Sequence, residues 1–348
     1  MEITIWLTYM CNLACTYCYE GNIKRTQSMS METADRVMEF ITYKINSLEK
    51  KEKINIVLYG GEPLLNFHVL HYLLTKLETL KKQSPFVEIA ISLTTNATLL
   101  TKINMEILFQ TVDNFAISID GDRETHNKNR PFRNGENTFD IVENNAKIAL
   151  KMRPDIMARM TISAQNVNNF SNNVKYIHSV GFKYIATALN QYDPNWTKAN
   201  KKTLIYEMQK LAEYQLDCEK TDKQLIISTV KEIESRRRSV CLGGERTLHI
   251  SPEGFFYPCS HLVGNSLYII GDLLRGIDES KLEWIRKINS KTVTECRKCK
   301  WSEVCYGTRC KLINYVLTGD YYKPSPVTCM NEICLLKCNE YYHKLLMN

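Results

Sequence analysis

No apolar run in this 348-residue chain approaches the roughly 20 residues that cross a bilayer. Its opening residues, Met1-Glu2-Ile3-Thr4-Ile5-Trp6, lack the basic stretch and apolar core of an export signal. A membrane span and secretion are therefore not expected, and a cytoplasmic location is. Concentrated charge is missing too. The net charge of +7 is spread over short basic runs, Lys50-Lys51, Lys81-Lys82 and Arg236-Arg237-Arg238, which read as solvated helix faces. Nucleic-acid binding would need a concentrated patch, so no nucleic acid is expected, although a mild positive field attracts an acidic peptide. Cysteine is absent from positions 19 to 217.

Elsewhere cysteine is abundant. There are 13, an odd number, in a chain without an export signal, which argues against a disulfide framework. Regularly spaced thiolates in a reducing compartment bind metal, and zinc and iron–sulfur clusters are the two candidates. Cys11, Cys15 and Cys18 open the chain and the rest lie from Cys218 to Cys338. That gap implies two regions with different tasks: residues 1–217, a bridge at 218–240, and a cysteine-rich domain at 241–348.

The cysteine-free stretch alternates. Strand-like apolar runs cover 3–8, 54–59, 87–94, 115–119, 156–162 and 184–189. Helical periodicity covers 31–48, with Ser30 as N-cap, and then 69–80, 102–110, 139–152, 169–180 and 201–217. Six β–α units in succession predict parallel strands with right-handed crossovers, apolar on both faces. The fold class is α/β, a partial (β/α)6 TIM-like barrel. Active sites of such barrels lie at the C-terminal strand ends. The motifs fall there: the cysteine triplet after strand one, Gly60-Gly61-Glu62-Pro63 after strand two, Thr95-Asn96 after strand three, Ser118-Ile119-Asp120-Gly121 at the end of strand four, and Arg159 on strand five.

Three thiolates on a four-iron cube leave one iron open to an amine and carboxylate. A zinc site would need a fourth ligand, and His68 and His71 are far off in sequence. Glycines after strand two let backbone approach a ligand closely. Tyr17 also reads as a core aromatic, and Arg159 as a buried ion-pair partner.

The string Cys11-Asn12-Leu13-Ala14-Cys15-Thr16-Tyr17-Cys18, with Gly60-Gly61-Glu62-Pro63 and Ser118-Ile119-Asp120-Gly121 after it in order, closely resembles the radical S-adenosylmethionine superfamily. The resemblance implies a [4Fe–4S] cluster on Cys11, Cys15 and Cys18, with S-adenosylmethionine on the open iron. One-electron cleavage of the sulfonium then gives a 5′-deoxyadenosyl radical that takes a hydrogen atom from substrate. A low-potential electron donor such as flavodoxin or ferredoxin is implied as partner. Matched position by position, Tyr17 would pack near the adenine and the backbone of Gly60, Gly61, Glu62 and Pro63 would bind the methionyl amine. Ser118 and Arg159 would face the methionyl carboxylate, and Asn96 the ribose or methionyl moiety. His126-Asn127-Lys128-Asn129-Arg130 resembles a His-Asn-x-x-Arg stretch of relatives, with no role assigned.

In the C-terminal region, Thr247 to Cys259 reads as a hairpin turning at Pro252-Glu253-Gly254. Cys296-x-x-Cys299, Cys305, Cys310, Cys329, Cys334 and Cys338 follow, joined by little apolar periodicity. Such a loop-rich segment needs staples, which metal clusters supply; structural zinc sites are the rival. The pattern closely resembles the SPASM domain of radical enzymes that modify peptides, with seven cysteines and two auxiliary [4Fe–4S] clusters, three clusters in all. By position, Cys241, Cys259 and Cys310 would hold the first and Cys296, Cys299, Cys305 and Cys329 the second. Four residues separate Cys305 from Cys310 where the usual pattern has three. Cys334 and Cys338 are candidates for a missing ligand or for an acid/base thiol, and Cys218 reads as a buried small apolar residue.

The resemblance implies a precursor peptide as substrate, and maturation of it by an intramolecular thioether is the first expectation. Carbon–carbon or carbon–oxygen crosslinking and epimerisation are alternatives, as is anaerobic sulfatase maturation. Sulfatase-maturing relatives commonly carry Asp after the Gly-x4-Cys cysteine, where this chain has Ser260. A different class is a non-enzymatic iron–sulfur electron carrier or zinc scaffold. Many peptide maturases carry an N-terminal peptide-binding module. With strand one beginning at residue 3, leader recognition is expected on the barrel, the 222–240 bridge or a separate leader-binding protein.

Overall fold

The structure is a computed structural model that describes residues 1–20, 25–48, 52–231 and 240–347. Lys50-Lys51, Arg236-Arg237-Arg238 and most of the expected bridge lie outside the described residues. In chain order the strands are β1 (Glu2–Trp6), β2 (Lys53–Tyr59), β3 (Glu88–Thr95), β4 (Asn114–Ser118), β5 (Met157–Ile162), β6 (Tyr184–Leu189), β7 (Ile226–Ile227), β8 (Thr247–Ile250) and β9 (Phe256–Tyr257). The helices are α1 (Met31–Asn46), α2 (Phe67–Gln83), α3 (Lys102–Thr111), α4 (Arg123–Asn129), α5 (Phe139–Met152), α6 (Phe170–Val180), α7 (Lys198–Lys220), α8 (Ser228–Lys231), α9 (Glu279–Ser290), α10 (Tyr306–Arg309), α11 (Lys311–Thr318) and α12 (Pro326–Met347). The six expected strands are all present, and α4 is an element the periodicity did not indicate.

The chain divides into two compact units. One comprises Met1–Asn12, Asn22–Phe115 and Leu242–Ser290; the other Leu13–Gly21, Ala116–Cys241 and Lys291–Asn348. This division differs from the boundaries at 217 and 241, and β8 supplies one reason. The segment expected as a free hairpin does fold into β8 and β9, antiparallel to each other. However, β8 also pairs in parallel with β1, Glu2 opposite Thr247 and Ile5 opposite Ile250. The first unit's sheet therefore runs β3-β2-β1-β8-β9. Ser30 caps α1 by accepting the Thr33 amide at 3.0 Å, as its position predicts. Lys81 and Lys82 pair with Asp113 and Glu78, which fits a solvated face.

In the second unit β4, β5, β6 and β7 form a parallel sheet. Thr197 and Asn200 close a capping box at the start of α7, and α7 packs along α12. The long helix α12 corrects the expectation of a loop-rich C-terminal region. Its buried residues include Thr328, Met330, Glu332, Cys334, Leu335 and Tyr342, which do not form one stripe. A helix buried on more than one side carries no clean 3.6-residue pattern.

Candidate active site

Cys11 lies in the first unit, and Cys15 and Cys18 lie in the second. In the first, the chain leaves β1 and runs beside the glycines that follow β2. The amides of Gly61 and Glu62 donate to the carbonyls of Thr8 and Met10, both at 2.9 Å. A Cβ on Gly60, whose φ is +154°, would meet the Thr8 carbonyl oxygen at 2.5 Å, and one on Gly61 would collide with Met10 and Tyr9 backbone. The glycines thus permit close approach of the chain to its own cysteine-bearing segment. Glu62 is 1% exposed. Its carboxylate accepts from the Leu64 amide (3.1 Å), the Thr95 hydroxyl (2.7 Å) and the Asn96 amide (2.7 Å), tying the end of β2 to that of β3. Three such bonds compensate the burial of a carboxylate, and Pro63 begins the short turn that follows.

Asn96 sits beside Cys11. Its Nδ2 donates to Asn12 Oδ1 at 2.9 Å and lies 3.9 Å from Cys11 Sγ, while its Oδ1 accepts from the amide and hydroxyl of Thr98. Asn12 Nδ2 closes the ring on the Thr98 hydroxyl at 2.8 Å. An N–H directed at a thiol sulfur suits a sulfur that carries negative charge, as a metal-bound thiolate does.

In the second unit, the loop bearing Cys15 and Cys18 is held from behind. The amides of Ala14 and Thr16 donate to the carbonyls of Pro131 and Asn129, both at 2.9 Å. Tyr17 donates its phenol to Asp120 at 2.6 Å, under the Arg130 guanidinium 5.3 Å from the ring centre. Asp120 is fully buried. It also takes the Asn129 side-chain amide (3.1 Å) and the Thr161 amide (3.0 Å), and pairs with Arg130 at 3.1 Å. Burial first, and Asp120 next among the causes that raise it, push the Tyr17 phenol well above its usual range, against the pull of Arg130. Tyr17 is therefore a neutral donor. Burial lowers His126 to about 4, so this ring, whose Nδ1 accepts the Asp120 amide at 3.4 Å, is neutral as well.

This network gives the His126-Asn127-Lys128-Asn129-Arg130 stretch a role that sequence reading did not assign. It lies in and just after α4, started by the Asp122 cap, and forms the support of the cysteine loop. The signal for it is a helix of seven residues, too short for periodicity to reveal. Ser118 and Arg159 are direct partners across β4 and β5. Arg159 is exposed, so it is not a buried ion-pair partner.

All 13 cysteines are thiols without disulfide bonds. In the second unit, burial first and then the neighbouring Cys299 and Cys329 raise Cys296. Burial, followed by Glu332 and with Cys296 a further contributor, raises Cys305 to about 11. These four cysteines are thus electrostatic neighbours. Cys310 is likewise raised to about 11 by burial and then by Cys241. Cys259 belongs to the first unit and Cys241 and Cys310 to the second. Among the described residues, no group of three or more His, Cys, Asp or Glu side chains is arranged as the site of a metal ion; thiolates around a four-iron cube stand farther apart than those around one ion.

Cys334 and Cys338 are placed differently from what their spacing suggested. Both are buried on α12, and the Cys338 thiol donates to the Met208 carbonyl of α7 at 3.4 Å. Burial raises them to about 11 and about 12. Both are packing thiols buried within the second unit, which argues against a ligand or acid/base role. Cys218, on α7, is 2% exposed, as a small core residue would be.

The cradle fits a thiolate-bound cluster. In the first unit an N–H lies beside the Cys11 sulfur, and in the second the loop bearing Cys15 and Cys18 is locked by backbone hydrogen bonds. Comparison with known proteins agrees. The radical SAM superfamily pattern matches residues 6–186. A cysteine-type anaerobic sulfatase-maturating enzyme of Clostridium perfringens is 24% identical over 323 residues, covering 86% of each chain. An uncharacterised protein of Methanocaldococcus jannaschii is 26% identical over 293 residues, covering 83% of this chain and 93% of that one. Among solved structures, anSMEcpe with bound AdoMet aligns over 100% of this chain and 94% of its own, with a TM-score of 0.80 at 21% identity. Streptococcus suis SuiB bound to its precursor peptide SuiA aligns over 94% of this chain and 75% of its own, with a TM-score of 0.65 at 18% identity. These likenesses show the fold, an α/β TIM-like core with its cysteine-rich C-terminal region. No described helix is long and apolar enough to cross a membrane. With the superfamily pattern spanning more than half its length, the chain belongs to the radical SAM superfamily.

Proposed function

We propose that this enzyme is a peptide maturase of the SPASM type, and that it closes an intramolecular thioether in a short precursor. The carrying observation is the bracing of the cysteine-bearing segments: in one unit the Gly61 and Glu62 amides hold the residues leading to Cys11, and within the other the Asn129 and Pro131 carbonyls hold the loop of Cys15 and Cys18. When bound, a [4Fe–4S] cluster with S-adenosylmethionine supplies a 5′-deoxyadenosyl radical. Cys11, Cys15 and Cys18 would hold that cluster. The Gly61 and Glu62 amides are already used, so carbonyl oxygens of the Gly60-Gly61-Glu62-Pro63 turn would receive the methionyl ammonium. Arg159, exposed beside Ser118, would meet the carboxylate. Cys296, Cys299, Cys305 and Cys329 would hold one auxiliary cluster, and Cys241, Cys259 and Cys310 another.

Likeness to a sulfatase-maturating enzyme supports a second reading, oxidation of a protein cysteine. Ser260 weighs against it, because a hydroxyl does not accept a proton at neutral pH as a carboxylate does. Mass spectrometry separates the two. The anaerobically reconstituted protein, given S-adenosylmethionine, dithionite and peptides encoded by neighbouring small reading frames, should yield a peptide short of two hydrogens whose cysteine no longer alkylates. Loss of the cysteine sulfur would establish the second reading instead. A Cys11/Cys15/Cys18→Ala triple variant should release no 5′-deoxyadenosine yet keep its C-terminal iron; absence of 5′-deoxyadenosine from the fully iron-loaded parent would overturn both readings.

A further inference from the structure

Glu332 is a buried carboxylate on α12, 3% exposed. Within the second unit it lines a cavity of about 210 Å³ together with Cys310 and Tyr306. Its Oε2 accepts the Tyr306 amide at 2.8 Å, and Tyr306 directly follows Cys305. Along α12 it stands three residues past Cys329, a spacing that makes two residues neighbours on a helix surface. Glu332 is thus anchored next to two of the four cysteines proposed to hold the second auxiliary cluster.

The charges of this stretch are divided between its two inner cysteines. Burial and then Glu332 raise Cys305, against the pull of the Gly307 and Thr308 backbone. The Cys305 sulfur lies close to that backbone, since a Cβ on Gly307 would stand 3.4 Å from Sγ. The cations act on the Cys310 side. Burial and then Cys241 raise Cys310, and Arg309 opposes them ahead of the weaker push from Glu332. Lys311, 5% exposed, donates to the Thr308 carbonyl at 2.6 Å and has Cys310 and Cys241 as electrostatic partners. A negative charge therefore accompanies Cys305, and positive ones accompany Cys310.

We propose that Glu332 sets the redox poise of the second auxiliary cluster, its carboxylate holding the reduction potential below the value that Cys296, Cys299, Cys305 and Cys329 alone would give. The inference rests on the reading that these four cysteines hold a cluster. Four thiolates already complete such a site, so Glu332 acts as a neighbouring charge and binds no iron. Net charge around a cluster is one of the terms that set its potential, and a buried charge is screened far less than an exposed one. A carboxylate opposes arrival of a further electron. The proposed reaction gives such a residue a use. Closing a thioether moves a hydrogen atom from carbon to the 5′-deoxyadenosyl radical and a proton from sulfur to solvent. Joining carbon to sulfur then leaves one electron over. An acceptor of low potential hands that electron on to a carrier such as oxidised flavodoxin instead of keeping it.

A redox titration followed by electron paramagnetic resonance tests this on the full, anaerobically cluster-loaded chain. The N-terminal cluster is recognised by the change in its signal when S-adenosylmethionine is added. The second auxiliary cluster is recognised by the signal that Cys329→Ser alters. Glu332→Gln keeps a carbonyl acceptor for the Tyr306 amide and removes the charge. It should favour reduction of the second auxiliary cluster by roughly tenfold or more, a rise of about 59 mV for one electron, with iron content unchanged. The N-terminal cluster is the internal reference and should move less. Glu332→Asp keeps the charge and should titrate as the parent does, which a merely structural role would not produce. An unchanged or lowered potential in Glu332→Gln, an equal rise at the N-terminal cluster, a matching rise in Glu332→Asp, or iron loss in Glu332→Gln would overturn the assignment. If Cys329→Ser alters no signal, the ligand reading fails and the inference with it. An unshifted potential in a protein that crosslinks its peptide defeats the inference alone. A shifted potential in a protein that releases no 5′-deoxyadenosine defeats the maturase reading alone.

Discussion

The cysteine loop after β1 and the cysteines of the C-terminal region are held by opposite means. The first is clamped by groups that are not thiols. Glu62 takes three hydrogen bonds, Asp120 takes those of Tyr17, Asn129 and the Thr161 amide, and four backbone amides secure the loop itself. The second stands on short pieces. Cys296 ends a three-residue turn, and Cys305 precedes the four-residue α10. Cys296 is the electrostatic neighbour of Cys299, Cys305 and Cys329, and burial raises Cys296 and Cys305. One site is preorganised by the protein. The other brings together thiols whose charged forms repel, and the auxiliary cluster proposed there would turn that repulsion into binding by taking them as thiolates.

Iron removal should therefore separate the regions most sharply. Stripping iron from the loaded protein should raise amide hydrogen exchange across residues 294–310 by roughly two orders of magnitude or more. The strands β1 to β6 and helix α4 should change only a few-fold. Equal loss of protection in both regions would remove the distinction.

The next effect attacks the clamp. Asp120→Ala leaves Arg130, itself 8% exposed, without its carboxylate, and strips Tyr17 and Asn129 of their acceptor. Breaking a buried pair from one side costs about 3–5 kcal/mol, which denaturant unfolding would read directly. The same variant should hold less iron at the N-terminal site while C-terminal iron stays. A loss below about 1 kcal/mol would mean that the loop does not depend on this carboxylate.

Sequence reading recovered what local pattern carries. The strands β2 and β3 themselves, the Ser30 cap and the spacing of the first three cysteines are all written within a few residues of one another, although the burial of these two strands alternates where both faces are expected to be covered. It missed what depends on distant partners. The pairing of β8 with β1 joins residues 245 positions apart, from Glu2 to Thr247, and nothing within Thr247–Ile250 announces it. The acidic members of two motifs, Glu62 and Asp120, turn inward to bind backbone and neighbouring side chains, a role that the sequence reading assigned to neither carboxylate. A buried carboxylate and a ligand-binding one are the same letter, and only the count of protein donors around it tells them apart.

The smallest predicted effect divides α12 itself. At 100° per residue, Cys334 and Cys338 lie about 40° apart around the helix axis, whereas Cys329 stands about 140° from Cys334. Cys334 and Cys338 are buried while Cys329 is exposed. One helix thus turns a prospective ligand outward and two packing thiols inward. Cys338→Ala removes a buried sulfur and its bond to the Met208 carbonyl, so it should cost about 1–2 kcal/mol and leave the iron count unchanged. Cys329→Ala removes an exposed side chain and should barely alter the stability of the iron-free protein, yet it should deplete iron from the C-terminal region. Iron loss in Cys338→Ala that matches or exceeds that in Cys329→Ala would reverse the assignment and make the inward face the metal-binding one.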